Sequence, residues 1–219
     1  MTIRRLPETA SVALPAEGGK LRAPSAERNL QPLCDLLIHA APVAGRALEL
    51  ASGTGQHVTA FARCLPGLHW QPTEPDESRR ASINAYRDES GLENLSAAQA
   101  LDATATGWGD KNAGQSLIVV INLLHLISTP ETITLVTEAA KALIPGGRFV
   151  VYGPFMRASE LTSDGDATFH ANLIARDPDI GYKDDFDILD IAQGAGLMPV
   201  EVIEMPANNL ALILEKPGN

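Results

Sequence analysis

The chain has 219 residues, 45% of them hydrophobic and 20% charged, which suits a single α/β domain, since one core grows to roughly 250 residues. The formal net charge is −10 and no Lys/Arg run exceeds two residues, so a nucleic-acid partner, which needs cations against phosphate, is not expected. Two cysteines, Cys34 and Cys64, are too few for a disulfide scaffold, and the longest apolar run, 117–127, is broken by Asn122 and His125 and falls short of the about 20 residues a membrane span needs. These features predict a protein with free thiols in the cytoplasm and no membrane partner.

Residues 1–22 read as an N-terminal tail or arm, rich in Pro, Gly and Ala and without a period, and the domain proper as 23–219. Pro7 and Pro15 break the stretch behind Arg4-Arg5, so it does not read as a signal peptide. From Ser25 a helix is predicted, with Leu30, Leu33, Leu36, Leu37 and Ile38 on its apolar face. Arg46–Leu50 reads as a strand running into a glycine loop. Gln56–Leu65 reads as a helix with Val58, Phe61, Ala62 and Leu65 aligned at helical spacing.

Leu68–Thr73 is a second strand in which Pro72 must sit at an edge or end. Asp76–Ser90 is a polar helix closed by Gly91. Leu95–Leu101 is a third strand. Ser116–Leu123, nearly all Leu, Ile and Val, is a strand buried on both faces of a parallel sheet. Thr129–Ile144 is a helix stopped by Pro145-Gly146-Gly147, Arg148–Tyr152 the next strand, and Thr162–Ala175 and Asp184–Gln193 further helices. Pro199–Met205 and Leu210–Glu215 are separated by only four residues, too few for a parallel crossover, so they form an antiparallel hairpin. The expected fold is α/β: a doubly wound, seven-stranded, mostly parallel sheet with a C-terminal antiparallel hairpin.

The chemistry concentrates at the carboxyl ends of the strands, where open α/β sheets hold ligands. Ala51-Ser52-Gly53-Thr54-Gly55-Gln56-His57 leads from strand to helix, and its glycines let backbone approach a ligand closely. The dinucleotide fingerprint is incomplete, because position 58 is Val. Glu49 before the loop suits a cationic or amine-bearing ligand better than a pyrophosphate. Glu74, 21 residues after Gly53, is placed to accept hydrogen bonds from ribose hydroxyls, with Asp76 as a neighbour able to substitute. Asp102 ends the third strand and suits an adenine amino group, the plain alternative being an acid that caps a turn.

These residues resemble class I S-adenosylmethionine-dependent methyltransferases, whose Rossmann-like fold also ends in an antiparallel hairpin. Ala26-Glu27-Arg28-Asn29, Ala51–His57, Trp70-Gln71-Pro72, Tyr152-Gly153-Pro154-Phe155, Ala175-Arg176-Asp177-Pro178 and Glu204-Met205-Pro206-Ala207-Asn208-Asn209 further resemble the methyltransferase-like family catalogued as domain of unknown function 938, from about residue 22 to the end. The resemblance implies S-adenosylmethionine as cofactor, held by Glu49, Ala51, Ser52, Gly53, Thr54, Gly55, His57, Glu74, Asp102 and Asn122. Arg28 is a candidate to pair with a carboxylate of cofactor or substrate, its plain alternative being a solvated helix face. A non-catalytic protein that keeps the cofactor pocket is the alternative. A nicotinamide oxidoreductase is disfavoured by the missing glycine and the hairpin.

On the acceptor side a small molecule is expected. The fourth strand ends in Asn122-Leu123-Leu124-His125 and lacks the Asn/Asp-Pro-Pro-Tyr/Phe box of nucleic-acid amino methyltransferases. His125 is the candidate base, since an ordinary imidazole titrates near neutrality; its plain alternative is a core histidine. Tyr152 is a second catalytic candidate and, with Phe155, Arg176, Asn208 and Asn209, a candidate for substrate binding. No His or Cys spacing suggests a metal.

Overall fold

The computed structural model describes residues 11–218. Residues 1–10 of the expected tail lie outside the described residues. The rest of that segment is an arm with structure of its own. Strands β1 (Leu14–Pro15) and β2 (Leu21–Arg22) pair antiparallel around a short 3-10 turn at Glu17–Gly19. The arm lies on helix α3 (Glu77–Ser90): the Leu21 amide donates to Ser82 Oγ at 2.7 Å, and Tyr86 Oη donates to the Leu21 carbonyl at 3.1 Å.

Helix α1 (Pro24–Ala40) opens with Pro at its first position, where the missing amide costs nothing. Then come β3 (Gly45–Leu50), α2 (Gln56–Cys64), β4 (Leu68–Pro72) and α3. Asp76 caps α3, its carboxylate accepting from the Arg79 amide, and Gly91 closes it with φ +64°. Next are α4 (Trp108–Lys111), β5 (Gln115–Ile121) and a 3-10 turn at Leu124–Leu126. Helix α5 (Thr129–Ala142) begins with a full capping box between Ser128 and Glu131 and stops two residues before the expected Ile144. The chain closes with β6 (Leu143–Met156), α6 (Asp164–Arg176), β7 (Lys183–Asp184), α7 (Asp185–Gly194), β8 (Met198–Met205) and β9 (Asn209–Glu215).

The main sheet has seven strands in the order β4-β3-β5-β6-β9-β8, with β7 added beside β6. β4, β3, β5 and β6 run parallel, and β9 inserts antiparallel against β6 and turns back into β8, as the hairpin spacing predicts. Pro72 is the last residue of β4, where its missing amide breaks no ladder.

Alternation along the strands divides the core between two helical layers. Leu48, Leu50, Ile118, Val120, Phe149 and Val151 pack with α4, α5 and α7; Ala47, Leu117, Val119, Val150 and Tyr152 pack with α1, α2 and α3. Each fully buried Leu, Ile or Val contributes about 1.5–3 kcal/mol, so the central strands anchor the sheet.

The seventh strand is not the one expected. Residues 95–101 make only isolated parallel bridges to β4, at Leu95 and Gln99. Between them side chains take over the backbone groups a ladder would use: Gln71 Nε2 donates to the Ala97 carbonyl at 2.8 Å, and the Ala98 amide donates to Asn84 Oδ1 at 2.8 Å. β7, which no local pattern announced, completes the count.

Candidate functional site

The ends of β3 and β4 are stitched together before the glycine loop begins. The Thr73 amide and hydroxyl both donate to the Glu49 carbonyl, at 2.9 and 2.7 Å, and the Ser52 amide donates to the Thr73 carbonyl at 2.8 Å. From there the loop needs left-handed backbone at Ala51 (φ +51°), Gly53 (φ +58°) and Gly55 (φ +96°). Gly55 is the α2 N-cap, and a Cβ there would lie 2.8 Å from the Ile83 Cα. At Gly53 a Cβ would meet nothing closer than 4.0 Å, so that glycine leaves open space above the loop.

Glu74 secures the loop from the next strand. Its Oε2 accepts from the Gly53 amide at 2.9 Å, and its Oε1 from the Asp76 amide at 3.2 Å. Burial nevertheless pushes its carboxyl above the usual range. Glu49 is more extreme. It is 2% exposed, burial lifts its pKa to about 8, the nearby Glu74 adds to the rise, and its Oε2 has no hydrogen-bond partner among the described residues.

A cavity of about 560 Å³ opens over this loop. Glu49, Ala51, Ser52, Gly53, Thr54, His57, Glu74 and Asn122 all line it, together with Asp76, Arg79, Thr104 and Glu131. His57 is held neutral: burial lowers its pKa to about 4, its Nε2 lies 3.2 Å from the Ala26 carbonyl, and its ring stacks on Phe61. Gly55 is absent from the wall and acts instead on the backbone path into α2. Asp102 also stays behind the wall. Its Oδ1 accepts from the Thr104 amide and hydroxyl at 2.9 and 2.7 Å, and Thr104 is the residue that reaches the cavity.

A second cavity of about 530 Å³ adjoins the first and shares Val12, Ser25 and Asn122 with it. Its aromatic wall is His125, Phe169 and Tyr182, with ring centroids 5.8–6.3 Å apart in tilted or edge-on arrangements. His125 is 5% exposed and lines this cavity, and no hydrogen bond to its ring nitrogens occurs among the described residues. Burial, reinforced by the Lys183 ammonium, lowers its pKa to about 3, so the ring is neutral. Tyr182 Oη donates to Asp166 Oδ1 at 2.9 Å. Arg28, Asn29, Pro154 and Asn209 complete the rim.

The structure redistributes several expected residues. Arg28 lines the aromatic cavity and not the glycine-loop cavity. Tyr152 lines neither: period-2 alternation turns its ring into the α1–α2 core, 2% exposed, with its hydroxyl unpartnered among the described residues and its pKa raised by burial to about 12. Phe155 is 1% exposed in the opposite core layer, so it too faces away from both cavities. Arg176 sits exposed at the end of α6. Asn208 hydrogen-bonds Asp166 at 3.0 Å beside the rim, while its neighbour Asn209 lines the cavity.

Sequence reasoning missed Phe169 and Tyr182, which arrive from the long excursion after β6 and carry no short-range signal. It also missed Gln56, whose Oε1 accepts from the Ala23 amide at 2.7 Å and from Thr54 Oγ1 at 2.9 Å, tying α1 to the glycine loop. Glu131 was findable, because Ser128-Thr129-Pro130-Glu131 spells a capping box.

A model of the family described as protein of unknown function (DUF938) matches residues 20–216. Among solved structures, an O-methyltransferase family protein from Burkholderia thailandensis aligns with a TM-score of 0.74 and 18% identity, over 89% of this chain and 58% of that one. The mitomycin 7-O-methyltransferase MmcR aligns at 0.72 and 15% identity, over 88% and 55%. Human N-acetylserotonin methyltransferase, solved in complex with S-adenosylmethionine, aligns at 0.71 and 12% identity, over 88% and 53%. The chain thus spans a little over half the length of these proteins, and what it shares with them is the class I methyltransferase fold. Among the described residues no helix is long and apolar enough to cross a membrane, and no group of three His, Cys, Asp or Glu side chains is placed to hold a metal ion.

Proposed function

Because the chain belongs to the family described as protein of unknown function (DUF938) and has the class I methyltransferase fold, we propose that it transfers a methyl group from S-adenosylmethionine to a small molecule. The observation that carries this reading is Glu49. A buried carboxylate oxygen without a partner, at the wall of a cavity over a glycine loop, is costly unless a ligand brings a charge to it. The amino group of the cofactor is such a charge. The residues around it fit the rest: open backbone at Gly53, and a ribose acceptor in Glu74 that is already oriented by two amides.

When bound, S-adenosylmethionine supplies a methyl group activated by the sulfonium sulfur. The protein's part is chiefly positioning, which is where most of the gain in such a displacement lies. Glu49 would hold the ammonium, Glu74 the ribose, and Thr104, held in place by Asp102, would face the adenine edge. Asn122, common to both cavities, marks where donor and acceptor meet. A neutral His125 accepts a hydrogen bond from the acceptor and takes its proton only as the methylated product becomes strongly acidic, because a base this weak cannot ionise a hydroxyl beforehand.

Calorimetry with S-adenosylmethionine tests the proposal. Binding is expected for the intact protein and should vanish in Gly53→Arg, whose side chain fills the space above the loop. Transfer of labelled methyl groups into a metabolite extract is then expected. Binding without transfer favours the non-catalytic reading, and absence of binding sinks both.

A further inference from the structure

The two cavities are charged in opposite senses, although the chain as a whole carries −10. Among the described residues the glycine-loop cavity is lined by four acidic side chains, Glu49, Glu74, Asp76 and Glu131, against one cation, Arg79. Among the described residues the aromatic cavity has no carboxylate in its lining, and its one full charge is Arg28. Arg28 has no ion-pair or hydrogen-bond partner among the described residues, whereas Arg22, Arg87 and Arg157 are each paired with an acid.

Three further observations point the same way. The amides that open α1 receive no side-chain cap, since Ala23 holds the cap position, and Pro24, Ser25, Arg28 and Asn29 of that helix line the cavity. A helix N-terminus carries about half a positive charge, which Arg28 reinforces. The imidazole of His125, 95% buried and without a hydrogen-bond partner among the described residues, lies in the wall. Phe169 and Tyr182 supply ring faces and edges. The Tyr182 hydroxyl proton is already committed to Asp166, whose charge is spread over the Tyr182, Asn208 and Ser163 donors behind the wall.

We propose that the aromatic cavity binds a planar hydroxylated aromatic acid, its ring against Phe169 and Tyr182, its hydroxyl donating to His125 and its carboxylate drawn to Arg28 and the start of α1. This deepens the methyltransferase reading by naming an acceptor class, and rests on it for calling that molecule an acceptor. Recognition itself rests on the cavity alone. A cationic amine is disfavoured, since it would face Arg28 and the positive end of α1 without a carboxylate to meet it.

The test uses the full chain without cofactor and three matched probes: 4-hydroxybenzoate, neutral 4-hydroxybenzyl alcohol and cationic tyramine. Affinities are read by ligand-observed NMR titration, with the His125 ring resonances as a site marker. 4-Hydroxybenzoate should bind at least about tenfold more tightly than the alcohol, as one charge-assisted contact predicts, and should shift the His125 signals. In Arg28→Gln, an exposed position whose change spares the core, that preference should collapse while the alcohol binds as before. Phe169→Leu should weaken both by a similar factor. Equal or tighter binding of tyramine, a preference that survives Arg28→Gln, or no probe binding at millimolar concentration overturns the proposal. A parallel titration with S-adenosylhomocysteine keeps the two readings apart: its failure removes the methyltransferase reading and leaves the acid-binding result standing, and the reverse holds as well.

Discussion

Glu49→Gln isolates the electrostatic cost built into the strand end before the glycine loop. The folded-state pKa of Glu49 is raised from 4.5 to about 8, so its protonated form is the one the fold prefers. Stability from this group is therefore fully present below about pH 4.5 and is lost progressively as pH rises through about 8. At about 1.36 kcal/mol per pH unit, the wild-type deficit grows from roughly 1 kcal/mol at pH 5 to roughly 3 at pH 7 and nearly 5 at pH 9. Glutamine keeps the shape and removes the charge. Urea unfolding of the ligand-free protein and of E49Q, run in parallel from pH 5 to 9, should give a difference curve that rises with pH in favour of E49Q and levels off above about pH 9. Water entering the cavity lowers the folded-state pKa, and with it the height of that curve and the pH at which it levels off, without changing its sign. A flat difference across the range, or one favouring the wild type at high pH, refutes the account of Glu49 as a buried carboxylate awaiting a cation.

Gly55→Ala should lower stability by about 3 kcal/mol, because φ is +96° and the new Cβ meets Ile83 backbone; a urea midpoint equal to wild type counts against the geometry. Glu74→Gln should weaken S-adenosylmethionine about tenfold in calorimetry and lower stability by about 1–3 kcal/mol, since its NH2 group meets one of the two backbone amides that the carboxylate accepts; undiminished affinity removes Glu74 from the ribose. His125 has a depressed pKa, so its contribution to stability is present above about pH 6.5 and falls away as pH drops towards 3; His125→Gln should move the acid-unfolding midpoint down. Once an acceptor is known, kcat/KM should show no His125 inflection near pH 6.5, and an inflection there that H125Q abolishes contradicts a neutral ring. Ser128→Ala should cost about 1 kcal/mol through loss of the α5 capping box, read as a shift in thermal midpoint.

What the sequence made legible was local. Gly53 and Gly55 mark a strand-to-helix loop because a left-handed backbone is written in the residue type itself, and Glu49 and Glu74 follow from strand ends at fixed spacing. The four-residue gap before Leu210 likewise forces the antiparallel hairpin. The failures share one cause, which is that distant groups decide them. Residues 95–101 have strand composition, yet Asn84 on α3 and Gln71 on β4 claim their backbone. Tyr152 ends a strand as expected, but which face it takes depends on the register of β6 against β5 and β9. The aromatic wall joins His125 after β5 to Phe169 on α6 and Tyr182 before β7, three positions that only the folded chain brings within ring contact.

The two cavities have Val12, Ser25 and Asn122 in common, and this imposes a rule on any pair of ligands that occupy them. If filling one cavity shifts those shared residues, it changes the affinity of the other, and the second ligand must change the affinity of the first by the same factor. Asn122, in left-handed backbone (φ +54°), is tied to the sheet by the amide it donates to the Tyr152 carbonyl. Under the proposed function, the two cavities would then act as one thermodynamic system. The spent cofactor, an easily titrated ligand, becomes a gauge of the acceptor: a compound that belongs in the aromatic cavity announces itself by altering how tightly the neighbouring cavity holds S-adenosylhomocysteine.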